Sequence, residues 1–409
     1  MQILVCKWHE ELIETLTAMG LKVGVVVDRY DRATENIRTD IVDSIFYIES
    51  FDSVDELMAL GARLHHHFGS VDFVLGHTEY GQYGVAVLSL HLNPKNTSWL
   101  KILVTRNKLA MKHALIGSHI PHAKFQIIDL EKNKINPILS YPLVIKPVNG
   151  QGSRMTFKLN SHEDLKKLQQ EIQTKNDDII KSREFLCEEF IDGKEFHIDT
   201  VWQNGNSLFF CVSEYFAPCL GVASSNVRNG SFVIRQEDNP NLYERLFLLH
   251  QDVNKILQIS DGATHMEVFL TKENKLYFSE VASRVGGGGI TESIRATFGK
   301  SMHQLLANVT LVEPHEVFLA TNKPQKIGAW LDLRPIEPGT ISWLPNVKEL
   351  QTVPWITWVS PRKKLGDSYK GTASSEFTVL VAFEANSGEE LEERISILES
   401  QYRCQVHPS

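Results

Sequence analysis

The chain has 409 residues, 42% hydrophobic and 22% charged, with a formal net charge of −8. That length exceeds the size at which one core usually stops growing, so two or three domains and room for a cleft are expected, and the composition excludes a disordered chain. The absence of a long Lys/Arg block argues against a nucleic-acid surface, and the lack of a leader-like N-terminus or a membrane-length apolar run argues against secretion or insertion. The five cysteines form no C-x-x-C pair, which points away from zinc or disulfides and towards a reducing, cytoplasmic setting.

In chain order, Q-I-L-V-C (2–6) and K-V-G-V-V-V (22–27) predict buried strands around a helix from Glu10 to Met19 that stops at Gly20, a βαβ start. Asp28 stands where dinucleotide-binding folds place a ribose-binding acid, but the turn Cys6-Lys7-Trp8-His9 lacks G-x-G-x-x-G, which excludes a nicotinamide cofactor. A strand from Val71 to Leu75 leads into His77-Thr78-Glu79-Tyr80-Gly81, at a carboxyl end, where open α/β sheets bind ligands. Glu79 is a candidate substrate contact there, although a loop carboxylate in solvent is the commoner case. The run His65-His66-His67 lacks the spacing of metal ligands and reads as surface.

From Arg106 to Ile120 the pattern predicts one helix closed by Gly117, with Lys108 in its first turn. A cation there opposes the helix dipole, so it is either solvated or compensated by an anion. Residues 141–157 predict two strands joined by a glycine turn, with Lys146 ending the apolar run Leu143-Val144-Ile145. A lysine beside Gly150 and Gly152 can meet a polyphosphate whose oxygens also accept the turn's N–H groups, although an ordinary hairpin turn has the same composition. A surface helix from Glu163 to Thr174 precedes E-F-L-C-E-E-F-I-D-G-K-E-F-H-I-D (184–199). Here an apolar hinge, Phe190-Ile191, is flanked by acids, and Glu195, His197 and Asp199 share one strand face. Such a hinge suits a flat base with an exocyclic amine; an edge hairpin with outward polar residues fits too.

The segment E-V-F-L-T-K-E-N-K-L-Y-F-S-E-V-A-S-R-V-G-G-G-G (267–289) predicts a β-hairpin about the turn Thr271 to Lys275. Folding it symmetrically sets Glu267 opposite Glu280, about 5 Å apart at Cβ, where two carboxylates repel unless a cation such as Mg²⁺ lies between them. The two-residue period places Phe278, Glu280, Ala282 and Arg284 on one face, and the glycine run after them can bring backbone N–H groups to an anion. An exposed hairpin with solvated glutamates remains open at this level.

Taken in order, Lys108, Lys146 with its glycine turn, E-E-F-I-D-G-K-E, and Glu267 with E-V-A-S-R-V-G-G-G-G resemble the ATP-grasp superfamily over residues 100–310. The resemblance implies an α/β fold, α+β in the ATP-grasp part. It divides the chain into an N-terminal βαβ domain (1–95), an ATP-grasp domain (96–320, lid 122–200) and a C-terminal α+β domain (321–409). It implies that Lys108, Lys146, Gly150, Gly152 and Ser153 contact ATP phosphates, that Glu188, Phe190 and Ile191 hold adenine, and that Glu195 holds ribose. Glu267 and Glu280 become ligands of Mg²⁺, or of Mn²⁺ in its place, and Arg284, Gly287 and Gly288 the catalytic groups.

Ala282 departs from the family's E-x-N-x-R pattern and supplies no third ligand, which leaves the number of cations open. The E-V-A-S-R-V-G-G-G form looks like the branch of L-amino-acid ligases that join two amino acids into a dipeptide with release of ADP and phosphate. Other ATP-grasp ligases, of the purine-pathway or biotin-carboxylase kind, and a silent ATP-binding module are the alternatives. His265 and Glu292 are candidate proton acceptors, although a histidine beside a strand is more often structural, and Glu79 with Glu292 could favour a cationic amino acid. Implied partners are small molecules, and a homodimer is the commonest assembly. Beyond Lys323 short alternating strands, a strand Phe377 to Phe383 and a helix capped near Ser387 resemble the same branch's C-terminal domain, with Trp330, Trp343, Trp355 and Trp358 expected in its core.

Overall fold

The structure, a computed structural model, describes residues 1–95, 99–130, 138–174, 184–223, 227–310, 324 and 326–408. Lys323, where the sequence pattern changes, lies outside them. The chain opens with β1 (Gln2–Cys6), α1 (Glu10–Ala18), β2 (Lys22–Val27), α2 (Arg29–Thr34), β3 (Ser44–Tyr47), α3 (Val54–Phe68), β4 (Phe73–Gly76) and α4 (Gln82–Leu92). Their strands form a parallel sheet in the order β3-β2-β1-β4, in which the inner strand β1 and the Val-rich β2 are buried on both faces, as in parallel sheets generally. Chain order reverses between β1 and β4, so Lys7 to His9 and His77 to Tyr80 leave neighbouring carboxyl ends at a topological switch point. Asp28 is engaged within the fold: it caps α2 and, with Asp31, holds Lys7 Nζ at 2.9 and 2.8 Å.

Arg106 ends a separate helix, α5 (Trp99–Arg106), and the helix expected from Arg106 to Ile120 is shorter, α6 (Lys108–Ala114). Asn107 separates the two by accepting the N–H groups of Leu109 and Ala110, both at 3.0 Å, an N-cap that starts α6 on Lys108. Next comes an antiparallel sheet of β5 (Phe125–Asp129), β6 (Leu143–Pro147), β7 (Phe157–Leu159) and, after α7 (His162–Thr174), β8 (Glu184–Glu189), in the order β5-β8-β6-β7. Leu165 and Leu168 of α7 cover Leu143, Ile145 and Phe185 of this sheet.

The central region comprises β9 (Gly193–Gln203), β10 (Asn206–Tyr215), β11 (Gly230–Val233), α8 (Pro240–Leu257), β12 (Gly262–Thr271), β13 (Leu276–Ala282), α9 (Ile290–Phe298) and α10 (Met302–Ala307). It continues through β14 (Ile327–Asp332), β15 (Gly339–Trp343), α11 (Val347–Leu350), β16 (Ile356–Pro361), β17 (Ser368–Tyr369), β18 (Val379–Ala385), α12 (Gly388–Gln401) and β19 (Gln405–Pro408). Eight strands join in the order β13-β12-β9-β10-β11-β14-β18-β16. Strand alternation sorts their side chains: Phe196, Ile198, Met266 and Val268 pack with α6 and α8, while Glu195, His197, Asp199, His265 and Glu267 occupy the alternate positions.

β14 pairs with β11 (Phe232↔Ala329), so strands of the C-terminal segment continue the central sheet and cover what would be an open edge. Trp330 is buried, as expected, but Trp343 is 38% exposed. α9 lies so close to β14 that a Cβ on Gly328 would stand 2.0 Å from the Ser293 carbonyl oxygen. Gly328→Ala should destabilise the protein by about 1–3 kcal/mol, read as a lower thermal midpoint.

Buried Asp332 accepts the N–H and the hydroxyl of Thr378 at 2.9 and 2.8 Å. Burial raises its carboxyl from 3.8 to about 6 against these bonds. Between those values the unfolded chain has released a proton that the folded chain keeps, so stability falls as pH rises through this window. Asp332→Asn should remove that contribution, measured as thermal midpoint against pH.

Candidate active site

A cavity of about 830 Å³ opens between the β5-β8-β6-β7 sheet, the β12–β13 hairpin and the carboxyl ends of β1 and β4. The hairpin supplies its floor. Glu267 pairs with Glu280 as expected, but Ser279 is an extra residue on β13, since Val268 pairs with Phe278. This bulge corrects the strict alternation assumed from Phe278 to Arg284: Phe278 joins the core with Met111 and Val268, and Arg284 lies beyond the strand's end.

Opposite charges alternate across the cavity wall. Lys108 Nζ meets Glu280 at 2.9 Å, Lys146 Nζ meets Glu280 at 3.9 Å and Glu188 at 2.6 Å, and Lys112 Nζ meets Glu188 at 3.0 Å. Lys108 is thus compensated. Burial opposes ionisation of Glu280, but Lys108 and then Lys146 hold its carboxyl below the ordinary range. Burial likewise works against the Lys146 ammonium, and Glu188 and Glu280 overcome it. Lys112 was not singled out from the sequence. It stands one helical turn after Lys108 in α6, and that i, i+4 spacing was the available signal.

Among the described residues no lysine of this ion chain pairs with Glu195 or Glu267, and the neighbour of Glu267 is His265 instead. Glu195 accepts the Cys219 N–H at 2.6 Å, yet burial and then the Glu267 charge raise it to about 8. Glu267 accepts the Tyr215 hydroxyl at 3.2 Å and lies 3.5 Å from His265 Nε2. His265 Nδ1 lies 2.9 Å from Asp199, which also lies 2.6 Å from His197 Nδ1. Burial disfavours the His265 cation, but Asp199 raises the ring to about 9.

Phe190 and Ile191 line the cavity next to Glu188, and Lys158 Nζ sits 3.6 Å from the Phe190 ring centroid. In the glycine turn, Lys108 donates to the Gly150 carbonyl at 2.9 Å and Ser375 to the Gly152 carbonyl at 3.3 Å, while the Ser374 and Ser153 hydroxyls lie 3.2 Å apart. Gly152 has φ +57°, and a Cβ there would meet Ser375 Cβ at 2.5 Å. The turn requires glycine twice over.

Glu79 is mostly buried, which overturns the solvated reading. Arg106 and Arg284 hold it at 3.0 and 2.6 Å, and against burial they keep its carboxyl below the ordinary range. Its charge is therefore already matched by two guanidinium groups. Gly287 and Gly288 border the cavity just before α9, whereas Glu292 is not among the lining residues and pairs with Arg295 at 2.7 Å. Of the two acids expected beside a cationic substrate, Glu79 lines the cavity in its ion pairs and Glu292 does not line it.

Residues 139–292 match the family profile of the ATP-grasp domain. The chain carries an ATP-grasp domain. It is 28% identical over 317 residues to the L-arginine-specific L-amino acid ligase of Bacillus subtilis, covering 76% of this chain and 74% of that one. It is 28% identical over 214 residues to dapdiamide A synthase of Enterobacter agglomerans, covering 50% of this chain and 48% of the synthase. An L-amino acid ligase structure from Bacillus licheniformis shares its fold, with a TM-score of 0.79 over 99% of this chain and 98% of that one at 19% identity.

The acids of the ATP-grasp domain fit a hard divalent cation. Glu195 and Glu267 bring carboxylate oxygens, with Cys219 Sγ, within 4.8 Å of one another, and burial followed by the Glu195 charge keeps the Cys219 thiol protonated. Oxygen donors therefore dominate, as Mg²⁺ prefers. The ion chain also carries stability. Lys112→Met leaves Glu188 with one cation in place of two and should cost about 2–3 kcal/mol, below the 3–5 kcal/mol of a fully broken buried pair. Denaturant unfolding measures it, and adding Glu188→Gln should recover part of the loss.

Proposed function

We propose that this protein is an ATP-dependent carboxylate–amine ligase that joins two L-amino acids into a dipeptide through an acylphosphate, releasing ADP and phosphate. The observation that carries this reading is one cavity holding Glu267 and Glu280 face to face beside Lys108 and Lys146. The similarity to the B. subtilis ligase over 76% of the chain supports it, and that relative's name points to a basic amino acid as one substrate.

A carboxylate resists attack by an amine until its charge is removed, and phosphorylation removes it. Phe190 and Ile191 hold adenine beside Glu188, and Glu195 receives ribose. Lys146 and the Gly150–Ser153 turn hold phosphate oxygens, and Lys108 exchanges Glu280 for phosphate. Glu267 and Glu280 would hold Mg²⁺, which when bound neutralises phosphate charge; Mn²⁺ has the same ligand preference. Arg284, fixed by Glu79, presents its guanidinium towards the transferring phosphoryl group. With the Gly287 and Gly288 N–H groups it then stabilises the oxyanion formed as the second amino acid's neutral amine attacks the acyl carbon. Phosphate departs, carrying the proton that the amine gives up, and the amide remains.

A catalytically silent ATP-binding module is the second reading, favoured by Ala282, which offers no metal ligand. Assembly as a homodimer in the cytoplasm completes the proposal; all five cysteines are free thiols. Incubation with Mg-ATP and amino-acid mixtures should give ADP, phosphate and a dipeptide mass. AMP formation would exclude an acylphosphate route, and no amino-acid-dependent turnover would leave the silent module. Arg284→Ala should lower turnover about 10²-fold, the usual effect of losing one oxyanion donor, while calorimetry finds nucleotide binding retained.

A further inference from the structure

Beyond Arg284 the cavity continues to a wall that the proposed reaction does not use. Its residues come from the switch point and α10: His9 after β1, His77 after β4, and His303. The His9 and His303 rings stack with centroids 3.5 Å apart and 14° between planes, and His77 meets them edge-on at 5.0 and 5.4 Å. His77 is tied to the catalytic strand, because its carbonyl accepts the Val285 N–H at 3.3 Å, one residue after Arg284.

Two atoms of this cluster are unpaired. His77 Nε2 and His303 Nδ1 are buried without a hydrogen-bond partner, a condition that costs about 1–3 kcal/mol for each polar group left so. Burial first, then the neighbouring imidazoles, keeps both rings uncharged, and burial brings His9 down to about 4. Three neutral imidazoles do not repel a cation. Each also carries one nitrogen lone pair. That of His9, at Nδ1, already accepts the Leu12 N–H at 3.3 Å.

The charges around the wall are largely paired. Glu10, Glu11, Asp31 and Glu35 border this end of the cavity against Lys7. Lys7 is matched by Asp28 and Asp31, and Arg38 and Arg295 partner Glu10 and Glu11. The stacked imidazoles offer a flat wall with two unpaired nitrogens, a combination that suits a planar or extended side chain carrying several N–H donors.

We infer that the pocket walled by His9, His77 and His303 receives the side chain of a basic amino acid and makes His77 and His303 the residues that select it. This rests on the ligase reading for its place in the reaction, but the selection is a binding property. A donor from the bound side chain satisfies nitrogens that are otherwise orphaned. An apolar side chain of similar length leaves them unpaired, and it is rejected on that account.

Calorimetric titration of arginine, lysine, leucine and phenylalanine into the full chain with Mg-ADP reads the pocket without turnover. Arginine and lysine should bind at least about tenfold more tightly than leucine, the scale of one hydrogen bond to a charged group. His77→Leu and His303→Leu should each remove most of that preference with Mg-ADP affinity unchanged. His303→Asn, which retains an acceptor near the Nδ1 position, should restore it. Equal binding of basic and apolar amino acids by the unaltered protein overturns the inference, as does a preference that persists in folded, Mg-ADP-binding leucine variants. Selective binding without dipeptide synthesis would support the pocket and sink the ligase reading alone.

Discussion

The pairing of Glu267 with Glu280 across β12 and β13 is the constraint around which the cavity is arranged. Two carboxylates on directly paired residues cannot both stay ionised at low cost, and the protein meets this unequally. Glu280 is surrounded by cations from α6 and β6, while Glu267 faces Glu195, whose carboxyl burial pushes up, and His265. One side of the hairpin is closed by lysines and the other by a second carboxyl and an imidazole. That asymmetry is what a site for a cation and a polyphosphate requires, since the nucleotide brings the anions that Lys108 and Lys146 can exchange for Glu280.

The fold makes this arrangement stiff. Alternate residues of β9 and β12 lock into the core beneath α6 and α8, so the acids between them have little freedom to move apart. Lys108 is fixed by the Asn107 cap and Lys112 by its turn of helix. The glycine turn is held from above by Ser374 and Ser375, in a segment anchored through Thr378 to Asp332. Phosphate-binding candidates, metal-binding candidates and the loop over them are thus joined through hydrogen bonds and ion pairs rather than by proximity alone.

At its other end the cavity borrows a device of parallel sheets. Strand order reverses between β1 and β4, which leaves a crevice at their carboxyl ends. The chain fills it with imidazoles on one side and the Arg106–Glu79–Arg284 ion cluster on the other. The nucleotide half of the cavity and the half assigned to amino acids are built from different sheets, and Arg284 lies between them.

Local periodicity determined a good part of this. The hairpin register followed from a turn with matching strands on either side, the βαβ opening from short Val/Ile runs and Gly20, and the shared face of Glu195, His197 and Asp199 from the two-residue pleat. Even the helix break at Asn107 had a local signal, because an asparagine ahead of a helical run is a cap. What the tertiary structure alone decided were partners far apart in sequence. Glu79 was legible as a loop acid but not as the clasp of Arg106 and Arg284, and Lys112 showed nothing of Glu188. Glu292 looked like a site acid until α9 turned it towards Arg295, and His9, His77 and His303 had no local pattern to join them. Backbone geometry repeats over two to four residues and can be read from a string. Ion pairing and burial depend on which distant segments the sheets bring together, and that is settled only when the strands have paired.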